Sequence, residues 1–181
     1  MQRTFETPRL ILRPPTLQDA PATQKLFPHW EIVRFMSAGI PWPYPEDGAH
    51  VFFRDVQLPA LERGSSFCWA IRLKNGPEYH IGMVSLFQRR SENRAFWLAL
   101  PWQGQGIMTE ACEPVTDFWF NSLMEPALIV SKAVENVGSR RITEKQGGRV
   151  IARGERAFLS GRLPFETWEL TREDWNARRR G

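Results

Sequence analysis

The sequence predicts one mixed α/β domain spanning residues 1–181, a mostly antiparallel sheet flanked by helices. Three observations lead there. Apolar residues alternate along a block of three successive segments between residues 67 and 100. A glycine-bearing junction, Gln103-Gly104-Gln105-Gly106, then leads into a helical pattern. Helical spacings flank that block on both sides, as in a layered α/β domain.

The elements come in order. Residues 9–13 alternate as a strand, ended by Pro14-Pro15. A helix runs to about Phe27, with Thr16 or Asp19 as N-cap; with Asp19, Pro21 falls in the first turn, where its missing amide costs little. Pro41, Pro43 and Pro45 make residues 40–45 a stiff extended loop carrying Trp42 and Tyr44. Ala49, Phe52, Phe53, Val56 and Ala60 return to helical spacing, broken near Pro59 and stopped by Gly64.

Phe67, Trp69, Ile71 and Leu73 then mark a strand, and Asn75-Gly76 is a hairpin signal leading into a strand over 80–87. Ser91-Glu92-Asn93 turns the chain into the fourth strand, 94–100. A helix runs from there to about Phe120, with Pro114 expected to kink it. A strand over 128–134, a helix over 139–146 closed by Gly147-Gly148, and a hairpin of 150–158 with 164–171 complete the chain.

Glycines at a strand-to-helix junction let the backbone turn tightly and leave the first helical amides uncovered at the positive end of the helix dipole, which suits a phosphate. No Lys-Ser or Lys-Thr comes after them, so this is not a P-loop; the third glycine of the dinucleotide fingerprint is also missing. The stretch resembles the acetyl-CoA loop of the GNAT superfamily, Gln/Arg-x-x-Gly-x-Gly/Ala. Gln103 and Gly106 hold the first two defined positions, and Met108 replaces the usual small residue at the third.

The run from Pro101 to Ala111 is similar to the RimJ/RimL branch of ribosomal-protein N-terminal acetyltransferases. So are Thr7-Pro8-Arg9-Leu10-Ile11-Leu12-Arg13-Pro14, Asn136-x-x-Ser139, Glu144-Lys145-x-Gly147 and Phe158-Leu159-Ser160-Gly161-Arg162. Gly148 stands where that branch carries an aromatic residue.

This resemblance implies a sheet splayed between the fourth and fifth predicted strands, with acetyl-CoA as co-substrate wedged between them. Strand amides around Leu98 and Leu100 would hold the pantetheine arm. Gln103, Gln105, Gly106, Ile107, Met108 and Thr109 would form the pyrophosphate loop. Asn136 would bond pantetheine or cap its helix, and Ser139 would protonate the leaving thiolate, act as N-cap, or both. Many members use a tyrosine there, but Tyr44 and Tyr79 are the only tyrosines and neither is so placed.

The branch's glutamate base falls on Ala157; Glu155, two residues away and on the same strand face, is the candidate base, with His29, Glu31 and Glu166 as rivals. Trp42 and Tyr44 are expected to wall the acceptor site. Arg140 and Arg141 are expected to be surface charges, and Cys112 to be a packing residue.

Composition narrows the rest. Hydrophobic residues make up 42% and charged residues 24%, as in a globular protein. No apolar run approaches the ~20 residues of a membrane helix, and residues 1–6 lack the apolar core of a signal peptide. Two cysteines, Cys68 and Cys112, form no disulfide framework, so a cytoplasmic location is expected. A net charge of +4 is modest, and Arg178-Arg179-Arg180 reads as a solvated tail, so no nucleic-acid partner is expected. No His, Cys or Asp cluster has metal spacing.

The expected partners are acetyl-CoA and an amine acceptor, a homodimer being compatible. The expected function is N-acetyl transfer to a primary amine, either a protein N-terminus or a small molecule. The alternative is a non-catalytic acyl-CoA-binding module engaging a partner protein.

Overall fold

In the computed structural model, residues 3–179 are described. Five strands form the first sheet: β1 (Phe5–Glu6), β2 (Leu10–Arg13), β3 (Phe67–Leu73), β4 (Gly82–Leu86) and β5 (Arg94–Leu98), antiparallel and adjacent in that order. A second sheet holds β6 (Ala127–Ala133), β7 (Arg149–Phe158) and β8 (Gly161–Thr171) in the order β6-β8-β7.

The first sheet is covered on both faces, which is why Cys68 to Ile71 of β3 are buried consecutively rather than on alternate residues. One face carries Leu10, Leu12, Trp69 and Ile71 into the main core, against α5 (Ile107–Asp117). On the other face Cys68 and Met83 meet Ala20 of α1 (Ala20–Leu26) and Ala49 of α3 (Gly48–Phe52). Trp119, Phe120 and Trp175 also sit in the main core, nearly or wholly without exposure, and so account for part of the chain's aromatic richness.

Prolines shape the helices in two ways. Pro59 lies just after a widened π turn, Phe53–Gln57, which joins α3 to α4 (Leu58–Glu62), so the helical run continues where a break was expected. Pro114 is carried inside α5 without ending it. The short α2 (Trp30–Val33) comes after α1, and α6 (Val137–Lys145) comes after β6.

Three expectations are corrected. β5 ends at Leu98, because Ala99 to Trp102 turn and Pro101 has no amide to pair; Leu100 therefore stands in a single 3-10 turn. The C-terminal arginines are not a loose tail: a further helix, α7 (Arg172–Arg178), brings Arg178 to Glu113 and Arg179 to Asp117, while Arg180 lies outside the described residues. The N-cap of α6 is Asn136, whose Oδ1 accepts the Ser139 amide at 3.2 Å. Gly148 also gains a reason: a Cβ there would lie 2.6 Å from Thr143 Cγ2, so the departure from an aromatic at that point lets the chain return closely beneath α6.

A buried polar knot ties α1 to the sheet. Asp19 receives both Arg13 amines (2.8 and 2.6 Å) and the Thr16 amide (2.8 Å), and His80 Nδ1 lies 3.5 Å away. His80 Nε2 in turn meets Thr23 Oγ1 at 2.9 Å. Burial pushes the Asp19 carboxyl up, but His80, Arg13 and the Thr16 amide outweigh it and hold the group well below the usual carboxylate range.

Asp19→Asn is therefore expected to lower unfolding free energy by about 3 kcal/mol at pH 7, the low end for a buried pair whose arginine keeps some solvent. Because the folded carboxyl titrates below its unfolded counterpart, this advantage exists above pH ~4 and is lost as pH falls further. Denaturant melts of both proteins should converge in acid; a constant gap would show that the charge is not what stabilises the knot.

Candidate active site

β5 and β6 run side by side, and among the described residues backbone hydrogen bonds join them only where they begin. The Asn93 amide donates to Ile129 O (2.9 Å), and the Ile129 amide donates to Asn93 Oδ1 (2.7 Å). Asn93 Nδ2 is held by the carbonyls of Phe87 and Arg89, so this 2%-exposed side chain is a rigid pin. Glu92 reinforces it, accepting from the Ser131 amide and from Arg156. Beyond the pin the strands part into two sheets.

The β5 edge of this gap offers free donors. Ala99 N–H bonds Ile81 O on the β4 side (2.9 Å), so strand alternation turns the amides of Phe96 and Leu98 toward the gap. Gln103 Nε2 occupies the Leu98 carbonyl at 2.8 Å, placing this side chain as a brace for the strand end.

At the open end stands the glycine loop. Gly106 caps α5 with φ +75°, a left-handed conformation in which glycine carries no steric cost. The Glu110 amide is the first in the helix to bond back, to Gly106 O. Among the described residues no hydrogen bond ends on the amides of Gly106, Ile107, Met108 or Thr109. The Met108 side chain is buried in the main core, so its departure from a small residue leaves its amide bare.

Arg9, which lies in the N-terminal segment that resembles the family but is given no site role by it, supports this loop. Its Nη1 donates to Gln105 O (3.1 Å), and its Nε and amide donate to Glu110, which also receives Thr7 Oγ1. Burial raises the Glu110 carboxyl, but these bonds outweigh it and lower it below its ordinary value.

Across the gap, on the β6 side, Ser139 Oγ accepts a 2.7 Å hydrogen bond from Lys132 Nζ. Lys132 is 6% exposed and lies 5.1 Å from the centre of the Phe96 ring of β5. Arg94, also buried, donates to Thr116 of α5 and to Gln146 and Thr143 at the end of α6. Burial first, then the Arg94 charge, bring the Lys132 ammonium down to about 7, with Cys112 and Glu92 pulling the other way. Cys112 is buried and its thiol is pushed up by burial, as befits a packing residue.

The signal that marks Lys132 and Arg94 is present in the sequence. Each shares strand parity with apolar neighbours (Val130 and Leu128; Phe96 and Leu98) that should face the core.

The expected base stands away from Ser139, and the two loop aromatics differ in exposure. Glu155 lies on β7, separated from β6 by β8, so about 10 Å of sheet intervenes. It is mostly exposed, with Arg162 3.5 Å away, and the fold does not bring it to Ser139. Glu166 is buried between Arg140 (2.9 Å) and Arg153 (3.2 Å), so Arg140 is an internal clamp rather than a loose surface charge. His29 and Glu31 are exposed at the start of α2.

Tyr44 packs edge-on against Phe27, with its hydroxyl pushed up by burial, whereas Trp42 remains 42% exposed beside Trp30. Near them the β7–β8 tip is stitched to residues 34–37: Leu159 N–H donates to Met36 O (2.9 Å) and Ser160 N–H to Arg34 O (3.1 Å).

A buried ammonium without a carboxylate in ion-pair reach costs stability. Lys132→Met keeps the stem and removes the charge, so the melting temperature should rise, by about 2–4 °C per kcal/mol recovered. Since burial lowers the folded ammonium from 10.5 to about 7, the gain is full at and below pH 7 and shrinks as pH climbs toward 10.5. Calorimetric scans at pH 6.5 and 9 check this; a lower melting temperature at both would show the charge to be compensated.

A family model described as an acetyltransferase (GNAT) domain matches residues 9–149, from β2 to the start of β7. The probable N-acetyltransferase YjcK of Bacillus subtilis is 37% identical over 92 residues, an alignment covering 42% of this chain and 51% of that protein. The chain thus spans about half the length of that curated relative. Among solved structures, the ribosomal-protein-S5-alanine acetyltransferase of Vibrio fischeri superposes with a TM-score of 0.79 at 17% identity, over 96% of this chain and 99% of that one. RimL, a ribosomal L7/L12 α-N-protein acetyltransferase solved with coenzyme A, gives a TM-score of 0.76 at 16% identity, over 93% and 98%. At such identities these likenesses establish the fold. The family match over most of the chain establishes the rest: this protein belongs to the GNAT acetyltransferase family.

Proposed function

We propose that this protein is an acetyl-CoA-dependent N-acetyltransferase in which a primary amine attacks the thioester directly. The observation that carries this reading is the row of bare amides on the Gly106 cap of α5, opening onto the unpaired edge of β5. The amides of Gln105 to Thr109 receive the pyrophosphate, aided by the helix dipole. Those of Leu98 and its neighbours receive pantetheine and polarise the thioester carbonyl, so that donors already in place meet the charge developing on that oxygen. Asn136 spends its Oδ1 on capping α6 and keeps its Nδ2 for the same arm.

Ser139 gives a proton to the departing sulfur. The acceptor enters beside Trp42, Tyr44 and the stitched β7–β8 tip. It is a protein N-terminal α-amine or a small amine, and the likeness to ribosomal-protein acetyltransferases supports the former. With Glu155 on the far strand, the amine attacks in its neutral form and sheds its proton to water; holding the partners in place supplies much of the acceleration, in the best cases about 7–11 kcal/mol.

Acetyl-CoA at one hundred times its dissociation constant should stabilise the fold by about 2.7 kcal/mol, a rise in melting temperature of roughly 5–10 °C for a chain of this size. Gly106→Val, which forces a β-branched residue into a left-handed conformation across the amides, should abolish that rise while circular dichroism stays native. An unchanged shift in the variant would remove the loop from the site, and no shift in the wild type would end the acetyl-CoA reading.

A further inference from the structure

Lys132 is the group in the cleft that the proposed reaction leaves unused. It sits at an apolar position of β6 and is 6% exposed. Arg94 and Phe96 face it from β5, Glu92 from the turn before β5, Cys112 from α5 and Ser139 from the first turn of α6. Among the described residues no carboxylate comes within ion-pair distance of it. An ammonium buried in this way without a carboxylate partner is expensive, and groups so perturbed cluster at functional sites.

The direction of its hydrogen bond is informative. An ammonium can only donate, so Ser139 Oγ is the acceptor at 2.7 Å and the serine's own proton is left to point elsewhere. Nζ–H, Oγ and Oγ–H thus form a one-way chain that leaves the serine's proton available to a ligand.

We propose that Lys132 is the positioning residue for Ser139, orienting and recharging the hydroxyl that protonates the departing thiolate and holding the sulfur end of the coenzyme by its charge. This rests on the acyl-CoA reading of the cleft. As the amine nitrogen forms its bond to the carbonyl carbon, the carbon–sulfur bond breaks and its electron pair goes to sulfur. The Ser139 proton moves to that sulfur, and a Lys132 proton replaces it on Oγ. Lys132 is left neutral and regains a proton from water, which has received one from the acceptor nitrogen. Amide and thiol are the net products, and no other reactant is needed.

The test needs no acceptor. Dissociation constants for coenzyme A and for desulfo-coenzyme A, which lacks the sulfur, are measured by calorimetry from pH 6.5 to 9 on the full chain and on Lys132→Met, Lys132→Arg and Ser139→Ala. A facing cation lowers the thiol pKa, and each unit is a factor of about ten. The wild type should therefore prefer coenzyme A roughly tenfold at pH 8, where the thiol proton can pass to Lys132, and less at pH 6.5, where Lys132 is already charged.

In Lys132→Met that preference and its pH dependence should vanish while desulfo-coenzyme A binds as before; Lys132→Arg should restore part of it. Loss of desulfo-coenzyme A binding in Lys132→Met would signal misfolding, and the comparison with Lys132→Arg then decides. A preference equal in wild type and both lysine variants at every pH overturns the role of Lys132 alone. Binding of neither compound to the wild type overturns the acyl-CoA reading, and this inference with it.

Discussion

Two neighbouring strands that begin together and then part are the constraint on which the rest of this molecule depends. Strand edges inside a domain carry unpaired donors and acceptors that are costly to leave bare. Here the start of the β5/β6 seam is closed by Asn93, whose side chain and backbone both reach Ile129. Past Asn93 the seam becomes an internal edge that another extended, polar chain can satisfy. The Leu98 carbonyl is already taken by Gln103, so at Leu98 this edge offers its amide alone, suited to a ligand carbonyl.

Each side of the opening has its own source of positive potential. On the β5 side it is the uncovered start of α5, with Arg9 braced between Gln105 and Glu110. On the β6 side it is Lys132, with Arg94 of β5 buried beneath the seam; both are drawn into the interior, and among the described residues neither has a carboxylate within ion-pair distance. The acidic groups nearby are committed elsewhere: Glu92 to Arg156 and Ser131, Glu166 to Arg140 and Arg153. Charge is thus arranged as excess cation in the cleft and neutralised pairs around it.

The sequence made legible whatever depends on local chemistry. Alternation in 67–73, the Asn75-Gly76 turn and the Gln103–Gly106 junction each fix their own conformation, and the family pattern ordered them. Position across the sheet was harder to read. Glu155 has the right strand and parity, yet β8 inserts between β7 and β6 and carries it away from Ser139. Tyr44 looks like an open loop aromatic until Phe27 is seen against it, and the arginines after Trp175 look solvated until α7 lays them on α5. In each case the deciding fact is a tertiary neighbour, whether a strand order or a packed ring, about which local periodicity is silent. Lys132 is the instructive omission: it shares parity with Val130 and Leu128, but parity alone does not reveal that a lysine is buried.

The stitching of the β7–β8 tip to residues 34–37 has a consequence in time. Met36 and Leu159, or Arg34 and Ser160, are contacts between the first fifth and the last fifth of the chain. Pairings so distant in sequence form late, because the long intervening loop must be closed before they contribute. During synthesis the glycine loop and the helix behind it emerge well before the hairpin of β7 and β8. A nascent chain could therefore assemble the glycine loop and α5 while the β7–β8 tip is still unmade, so the closure of that tip on residues 34–37 is among the last contacts this fold acquires.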